Sequence, residues 1–314
     1  DATWHVLLTM EAYDETSASI HKFVPIVSLG DENDKGISWG ATIPDKYGNY
    51  YYTSFSAAGF VAPYIFIKIL GLEISEFSLY LYSSFLLIVS AILTVFLFLK
   101  LFPNENKLLV GALAFCGYVF VPEILHGMGI VYWSQTLFQV TFLIQLLCFI
   151  NYKKNKKMQY LFLIMCIVNP YIEWTGYTAN VGFAVALICW KLLETRKIDK
   201  TIVKTVLMIM VCTIFSFFLF CGHYLLVVDK NDFAQALKSR FFARNISNDI
   251  PFNVLLKGYL NSFQYLFLLL FILVVVLLIV YRGFSWIKSS RLVNNWPVLV
   301  VLVFVMSENI IMIE

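Results

Sequence analysis

Hydrophobic and polar residues are unevenly distributed along the 314-residue chain. Residues 1–53 are rich in acidic residues, tyrosine and glycine and contain no apolar stretch of membrane length. From Glu76 onward the chain is almost continuously apolar, and about 20 apolar residues suffice for a helix to cross a bilayer core. The pattern predicts about eight spans: Glu76–Phe102, Leu108–Leu125, Val131–Ile150, Met158–Ile172, Tyr177–Leu193, Ile202–Val228, Tyr259–Tyr281 and Pro297–Glu314.

The loops between these predicted spans alternate in charge. The basic loops are Lys153–Lys157, Glu194–Lys200 and Tyr281–Arg291. The others are His126–Gly129 and Asn169–Gly176, which contain no Lys or Arg, and the longer Asp229–Lys257. Because loops rich in Lys and Arg stay in the cytoplasm, we expect the second set and residues 1–53 to be extracytoplasmic. With an external start we expect a span before Asp1, and we expect the sequence to be truncated at both ends.

The stretch Phe55–Leu72 is apolar but is interrupted by Gly, Pro and Lys. We interpret it as an interfacial helix along the outer leaflet, because a crossing here would place Lys153–Lys157 outside. The predicted fold is therefore an all-α polytopic bundle. Residues 1–75 form an extracytoplasmic loop with amphipathic and interfacial helices, and residues 76–314 form the transmembrane domain.

Composition agrees with this fold class. The chain is 60% hydrophobic and 14% charged, with a mean hydropathy of +0.77, whereas soluble domains are about 25% charged. A soluble globular protein is therefore excluded. The net charge of +3 lies mainly in loops, so we expect no nucleic-acid partner. All six cysteines fall inside apolar segments and are interpreted as buried apolar residues rather than disulfides or zinc ligands.

Candidate chemistry begins at the first residues. Asp1–Tyr13 reads as a helix, and Asp1 and His5, four residues apart, share one face of it. A carboxylate and an imidazole at this spacing can bind a metal ion or share a proton. The alternative is an exposed charge pair on an amphipathic helix.

Further candidates lie in the loops that are predicted to be extracytoplasmic. Glu173 ends an apolar stretch, where an acid is costly unless it is paired or hydrated, and His223 is a candidate partner. His126 and Trp133 flank a Gly-rich turn, and the alternative is a polar turn with an interfacial tryptophan. Phosphate binding would use Lys238, Arg240 and Arg244, and the alternative is attraction to lipid head groups.

Two motifs carry a family resemblance. The acidic start Asp1–His5 precedes a long polar loop, and Tyr51–Gly59 continues through Pro63 to Gly71 as an entry into a juxtamembrane helix. Together with the order of the spans, these motifs resemble membrane glycosyltransferases of the GT-C class, such as protein mannosyltransferases and aminoarabinose transferases. Two features depart from that pattern: Ser56–Ala58 replaces a Pro-Pro pair, and the second acidic residue has no clear match, although Glu123 lies nearby.

The resemblance implies inverting transfer of a sugar from a polyprenyl-phosphate carrier to a cell-envelope glycan or lipid-linked acceptor. The reaction would take place on the outer face of a plasma membrane, with a bacterial membrane expected. Asp1 is the expected general base, Glu11 the second choice, and His5 would orient Asp1 or help to hold a divalent metal ion. The expected substrate-binding residues are Arg240, Arg244, Lys238, His126, Trp133, Glu173 and Tyr51, of which the tyrosine would stack on a sugar face.

Two other classes of function stay open. A membrane transporter or flippase for a lipid-linked saccharide predicts inverted repeats and charges near the bilayer midplane. This sequence shows no repeat and carries its charges near the predicted outer ends. A purely structural membrane subunit would leave the long polar loop and its acidic residues without a purpose.

Overall fold

The structure is a computed structural model that describes residues 2–29, 42–120, 124, 132–152, 155–195, 199–246 and 301, with the backbone only for residues 2, 193–195 and 240–246. It is mostly helical, as predicted. The helices are α1 (Ala2–Glu15), α2 (Ala18–His21), α3 (Ala58–Ile69), α4 (Glu76–Leu101), α5 (Lys107–Val119), α6 (Ser134–Ile150), α7 (Lys156–Ile172), α8 (Thr175–Thr195), α9 (Lys200–Tyr224) and α10 (Lys230–Ile246).

The all-α prediction missed a small sheet in the amino-terminal segment. Strands β1 (Ile26–Ser28), β2 (Thr42–Pro44) and β3 (Tyr50–Tyr52) form an antiparallel sheet in the order β1-β3-β2. A turn joins β2 and β3, and in it Asp45 Oδ1 accepts hydrogen bonds from the backbone N–H groups of Tyr47 and Asn49 at 2.7 and 2.9 Å. Strands of three residues are too short to show a period-two pattern in the sequence.

Polar caps start the long helices. Asn106, Asn155 and Asp199 accept hydrogen bonds from backbone N–H groups in the first turns of α5, α7 and α9, which satisfies donors that a helix otherwise leaves free. Ser75 caps α4 in the same way, and Glu76 follows it in the first turn. An acidic residue in this position is stabilised by the helix dipole.

Within the described ranges, two helices are long and apolar enough to cross a membrane. These are α4, with 26 residues, and α9, with 25. Only 28% and 22% of their most apolar windows are buried, so they differ from the core helices of a soluble protein, and large exposed apolar surfaces indicate a membrane or a partner. Shorter apolar helices include α3, α5 and α6. Membrane association is supported at this level, and the complete set of spans stays a prediction.

Two apolar clusters hold the described residues together. One joins α1, the sheet and α3 to the ends of α4 and α9, and includes Met10, Tyr51, Phe60 and Tyr224. The other lies between α6, α7 and α8, where the rings of Phe149, Phe162 and Phe183 are in contact at centroid distances of 4.9–5.8 Å. The first cluster includes residues from both predicted domains, 1–75 and 76–314. The predicted boundary therefore marks a change in composition, and the residues on its two sides share one apolar core.

Candidate functional site

The amino-terminal segment is bound to one end of the apolar helices. Trp174 Nε1 donates to the Ser54 carbonyl oxygen at 2.7 Å, and the Tyr224 hydroxyl donates to the Tyr52 carbonyl oxygen at 2.6 Å. The starts of α7 and α9 lie at the opposite end, where Lys156 and Lys157 are exposed and the Lys191 ammonium lies 3.2 Å from the Asp199 carboxylate. The helix ends that were predicted to be extracytoplasmic are therefore the ones that meet the polar segment.

A cavity of about 210 Å³ opens where α1 and α4 begin. Its lining residues come from the first turn of α1, from the first two turns of α4 and from the residue two positions before α6: Thr3, Glu76, Leu79, Tyr80, Ser83 and Tyr132. Pockets for drug-sized ligands measure roughly 300–1,000 Å³. The cavity therefore has room for one small polar group or for the reacting part of a longer molecule.

The spacing of these residues explains the shape of the cavity. Glu76, Tyr80 and Ser83 are four and three residues apart, so they lie on one face of α4. The Tyr132 backbone N–H donates to Thr3 Oγ1 at 3.3 Å, and its hydroxyl donates to the Gly59 carbonyl oxygen at 2.7 Å. Tyr132 thus joins three segments and forms a fixed wall, whereas Glu76 and Tyr80 are exposed.

His5 lies beside this cavity but faces an aromatic cluster. Its ring stacks on Tyr52 at 6.0 Å and lies 6.5 Å from Trp133, between ring centroids. Two residues correspond to about 200° around a helix, so His5 and Thr3 point to different sides of α1. His5 is 8% exposed, and its Nδ1 has no hydrogen-bond partner among the described residues, which do not include Asp1. Burial lowers the pKa of its imidazole below the ordinary value. A neutral imidazole is the form that this environment favours.

Of the two predicted catalytic carboxylates, Glu11 lies away from the cavity. Glu11 is exposed and lies eight residues after Thr3, which is about 12 Å along the helix axis. It is therefore too far from the cavity to serve as a base there. Asp1 and His126 lie outside the described residues.

Glu173 was predicted to contact substrate, and its burial contradicts that assignment. It is 5% exposed, accepts a hydrogen bond from the Ser134 hydroxyl, and accepts another from the Trp174 backbone N–H at 3.2 Å. The adjoining cavity measures about 10 Å³, which is close to the space that one water molecule needs. Glu173 therefore ties the start of α6 to the turn between α7 and α8.

The predicted pairing of Glu173 with His223 is also absent. The two ring nitrogens of His223 bind other groups: Nδ1 lies 2.8 Å from the Tyr171 hydroxyl, and Nε2 lies 2.7 Å from the Lys22 carbonyl oxygen. His223 instead attaches the amino-terminal segment to the end of α9.

Tyr51 and Trp133 have contrasting environments. Tyr51 is fully buried in the sheet, opposite Ile26 and Ile43, so the prediction that it stacks on a sugar is wrong. Burial raises its pKa above the ordinary value. Trp133 is partly exposed and packs edge-on against Phe55 at 5.0 Å. A contact between Trp133 and substrate stays a prediction.

The predicted phosphate-binding residues lie on α10, which packs against the same end. The Phe233 ring stacks on Tyr224 with centroids 5.2 Å apart, and Lys238 is exposed. The side chains of Arg240 and Arg244 lie outside the described residues. Among the residues that the structure describes, no group of three His, Cys, Asp or Glu side chains forms a metal site.

Sequence reasoning missed Glu76. It had served only as the first residue of a predicted span, although a Ser-Glu pair at such a boundary is a helix cap that also places a carboxylate at the membrane surface. The full set of lining residues could not be found in this way, because Thr3 and Tyr132 approach Glu76 only through tertiary packing.

A second polar group was also missed, inside the helices. Gln145 Nε2 donates to Asn180 Oδ1 at 2.9 Å, Asn169 Nδ2 donates to Gln145 Oε1 at 2.5 Å, and Asn180 Nδ2 donates to Thr213 Oγ1 at 2.9 Å. We call Gln145, Asn169, Asn180 and Thr213 the amide cluster. It links α6, α7, α8 and α9, and its three amide side chains are at most 1% exposed.

Comparisons with known proteins found no match from which a function could be inferred. No family model matches the chain, and no curated protein or solved structure matches it.

Proposed function

We propose that the chain is a membrane glycosyltransferase of the GT-C type that uses a polyprenyl-phosphate sugar. The acceptor would be a cell-envelope glycan or a lipid-linked saccharide on the extracytoplasmic face. The observation that carries the proposal is the cavity of about 210 Å³ at the start of α4, with Glu76 on its wall. If α4 crosses the membrane, a cavity beside its first residues would lie near the surface, where a lipid carrier would expose its phosphate and sugar.

The chemistry requires a base that removes a proton from the acceptor hydroxyl while the carrier phosphate leaves. A carboxylate in a partly dry cavity suits this role. Asp1 is the proposed base, because it directly precedes the first turn of α1, where Thr3 lines the cavity. Glu76 is the second candidate, because its carboxylate lines the cavity.

The surrounding residues are compatible with binding a sugar. Tyr80 is exposed beside Glu76, and aromatic rings provide an apolar face together with a polar edge. Thr3 and Ser83 add hydroxyl groups that can donate or accept hydrogen bonds. Lys238, Arg240 and Arg244 remain the proposed phosphate-binding residues, since α10 packs on Tyr224 at the same end of the helices.

The test is release of polyprenyl phosphate from a polyprenyl-phosphate sugar by the purified chain in detergent, with acceptor glycan present. Asp1→Asn and Glu76→Gln are compared with the matched control Glu11→Gln, whose carboxylate lies outside the cavity. Loss of the base should lower turnover by about 10²–10⁴-fold, and the control should keep wild-type turnover.

The outcomes separate the parts of the proposal. A large loss in only one of the Asp1 and Glu76 variants identifies the base. Normal turnover in both variants would show that neither carboxylate is the base and that the reaction does not use this cavity. Absence of donor cleavage by the folded wild-type chain would contradict the proposed function.

A further inference from the structure

A groove of about 520 Å³ runs along one face of α9, at the end of the helices opposite to the candidate site. The residues that line it are Asp199, Lys200, Val203, Lys204, Leu207, Met208, Val211 and Cys212. Their spacing of three and four residues places them in one stripe along the helix. From Lys200 to Cys212 the stripe is about 18 Å long, which is close to one half of a bilayer core of about 30 Å.

The two ends of the groove differ in chemistry. Lys200 and Lys204 are exposed at its polar end, and neither has an ion-pair partner among the described residues. Beyond them the wall is apolar, with Val203, Leu207 and Val211 exposed. A ligand that matches both ends must be anionic at the head and apolar along the tail.

The charge at the polar end is positive even though Asp199 is present. Asp199 caps α9 by accepting a hydrogen bond from the Ile202 backbone N–H at 2.9 Å, and its carboxylate lies 3.2 Å from the Lys191 ammonium. These interactions lower its pKa, so its charge offsets that of Lys191. Among the described residues that line the groove, Lys200 and Lys204 are left without a compensating charge.

We propose that this groove binds one anionic phospholipid of the cytoplasmic leaflet. The lysines at positions 200 and 204 hold the phosphate, and one acyl chain lies along Val203, Leu207 and Val211. Cytoplasmic leaflets are the anionic ones, and basic residues near their surface attract them. The basic loop Glu194–Lys200 was predicted to lie on that side from charge alone. The groove is remote from the candidate site, so this proposal does not depend on glycosyltransferase activity.

The experiment measures lipid selectivity in reconstituted protein. The full chain is placed in phosphatidylcholine vesicles with and without phosphatidylglycerol and extracted, and the retained lipids are quantified by native mass spectrometry. Wild-type protein should retain phosphatidylglycerol preferentially. Lys200→Gln combined with Lys204→Gln should reduce that preference by about five-fold or more, because each lysine near a membrane surface contributes about 1 kcal/mol.

Two further variants distinguish a built site from general surface charge. Lys156→Gln with Lys157→Gln removes two exposed lysines at the same end of the helices but outside the groove, and it should leave the preference unchanged. Leu207→Trp fills the groove and keeps both lysines, so it should displace the lipid. An equal loss of preference in the Lys156 and Lys157 variant, or an unchanged preference in Leu207→Trp, would overturn the proposal.

Discussion

The amide cluster and the cavity beside Glu76 are both polar regions of a largely apolar protein, but they differ in how accessible their side chains are to solvent. The amide groups of Gln145, Asn169 and Asn180 bind one another and are at most 1% exposed. Glu76 is exposed and borders a cavity of about 210 Å³. Polar residues between apolar helices can therefore hold the helices together or be available to a ligand, and their accessibility decides which role they serve.

The same distinction bears on the transporter alternative. A transport pathway needs polar residues that face a water-filled cavity within the membrane. The amide cluster is closed, and hydrogen bonds of this kind between helices act as links. The cavity that Glu76 lines lies instead at the start of α4, which suits chemistry at the membrane surface.

The largest effect on stability is expected at the turn that holds the closed region together. A Cβ atom at Gly176 would lie 2.3 Å from the backbone carbon of Asn169 and from the backbone nitrogen of Pro170. Backbone atoms cannot yield as a flexible side chain can, so Gly176→Ala should destabilise the protein by about 3 kcal/mol or more. Thermal unfolding in detergent, together with the yield of folded protein, measures the effect.

Gly222→Ala is the matched control. Gly222 is helical, and a Cβ atom there meets no atom within 4 Å, so alanine should be neutral or stabilise the helix by up to about 1 kcal/mol. If Gly176→Ala lowered stability no more than this neutral control, the contact between α7 and α8 at Gly176 would be less close than described.

A smaller effect is expected when the two polar regions are altered separately. Gln145→Leu removes the partner of Asn169 and Asn180, so it should cost about 1–2 kcal/mol, in the upper part of the range for polar links between membrane helices. Glu76→Gln should change stability by no more than about 0.5 kcal/mol, as is usual for surface positions. Denaturant unfolding of the two variants side by side tests the comparison directly, and a greater loss in Glu76→Gln would reverse it.

Much of the helical architecture could be predicted from the sequence because it depends on local information. Apolar length predicted α4 and α9. The Asn106 and Asp199 caps are likewise local features, since each directly precedes the helix that it starts. The site was less predictable. Tyr51 was expected to stack on a sugar, yet strand pairing buries it completely. Glu173 was expected to contact substrate or to pair with His223, yet it accepts a hydrogen bond from Ser134, 39 positions away. Such contacts are made by tertiary packing and leave no local pattern in the sequence.

The smallest predicted effect is a difference in acid sensitivity between the two regions. The amides of the cluster do not titrate, whereas the amino-terminal segment contains His5 and His21, both buried, with pKa values lowered by burial. His21 Nδ1 accepts a hydrogen bond from the Phe23 backbone N–H at 2.8 Å, and protonation would abolish that acceptor. Below the ordinary histidine pKa of about 6.5, the unfolded segment binds more protons than the folded one, so stability is complete above that pH and falls as pH decreases.

Hydrogen exchange at about pH 7.5 and about pH 5.5, corrected for the intrinsic pH dependence of exchange, measures this difference on either side of the ordinary histidine pKa. Protection should fall in α1 and α2 at the lower pH and stay constant in α6, α7 and α8. His21→Gln removes one titrating group, and it should reduce the acid-dependent change while leaving that of α6 unaffected. Uniform loss of protection across both regions would show that they unfold as one cooperative unit, and the contrast between an acid-sensitive polar segment and a titration-free helical cluster would then be wrong.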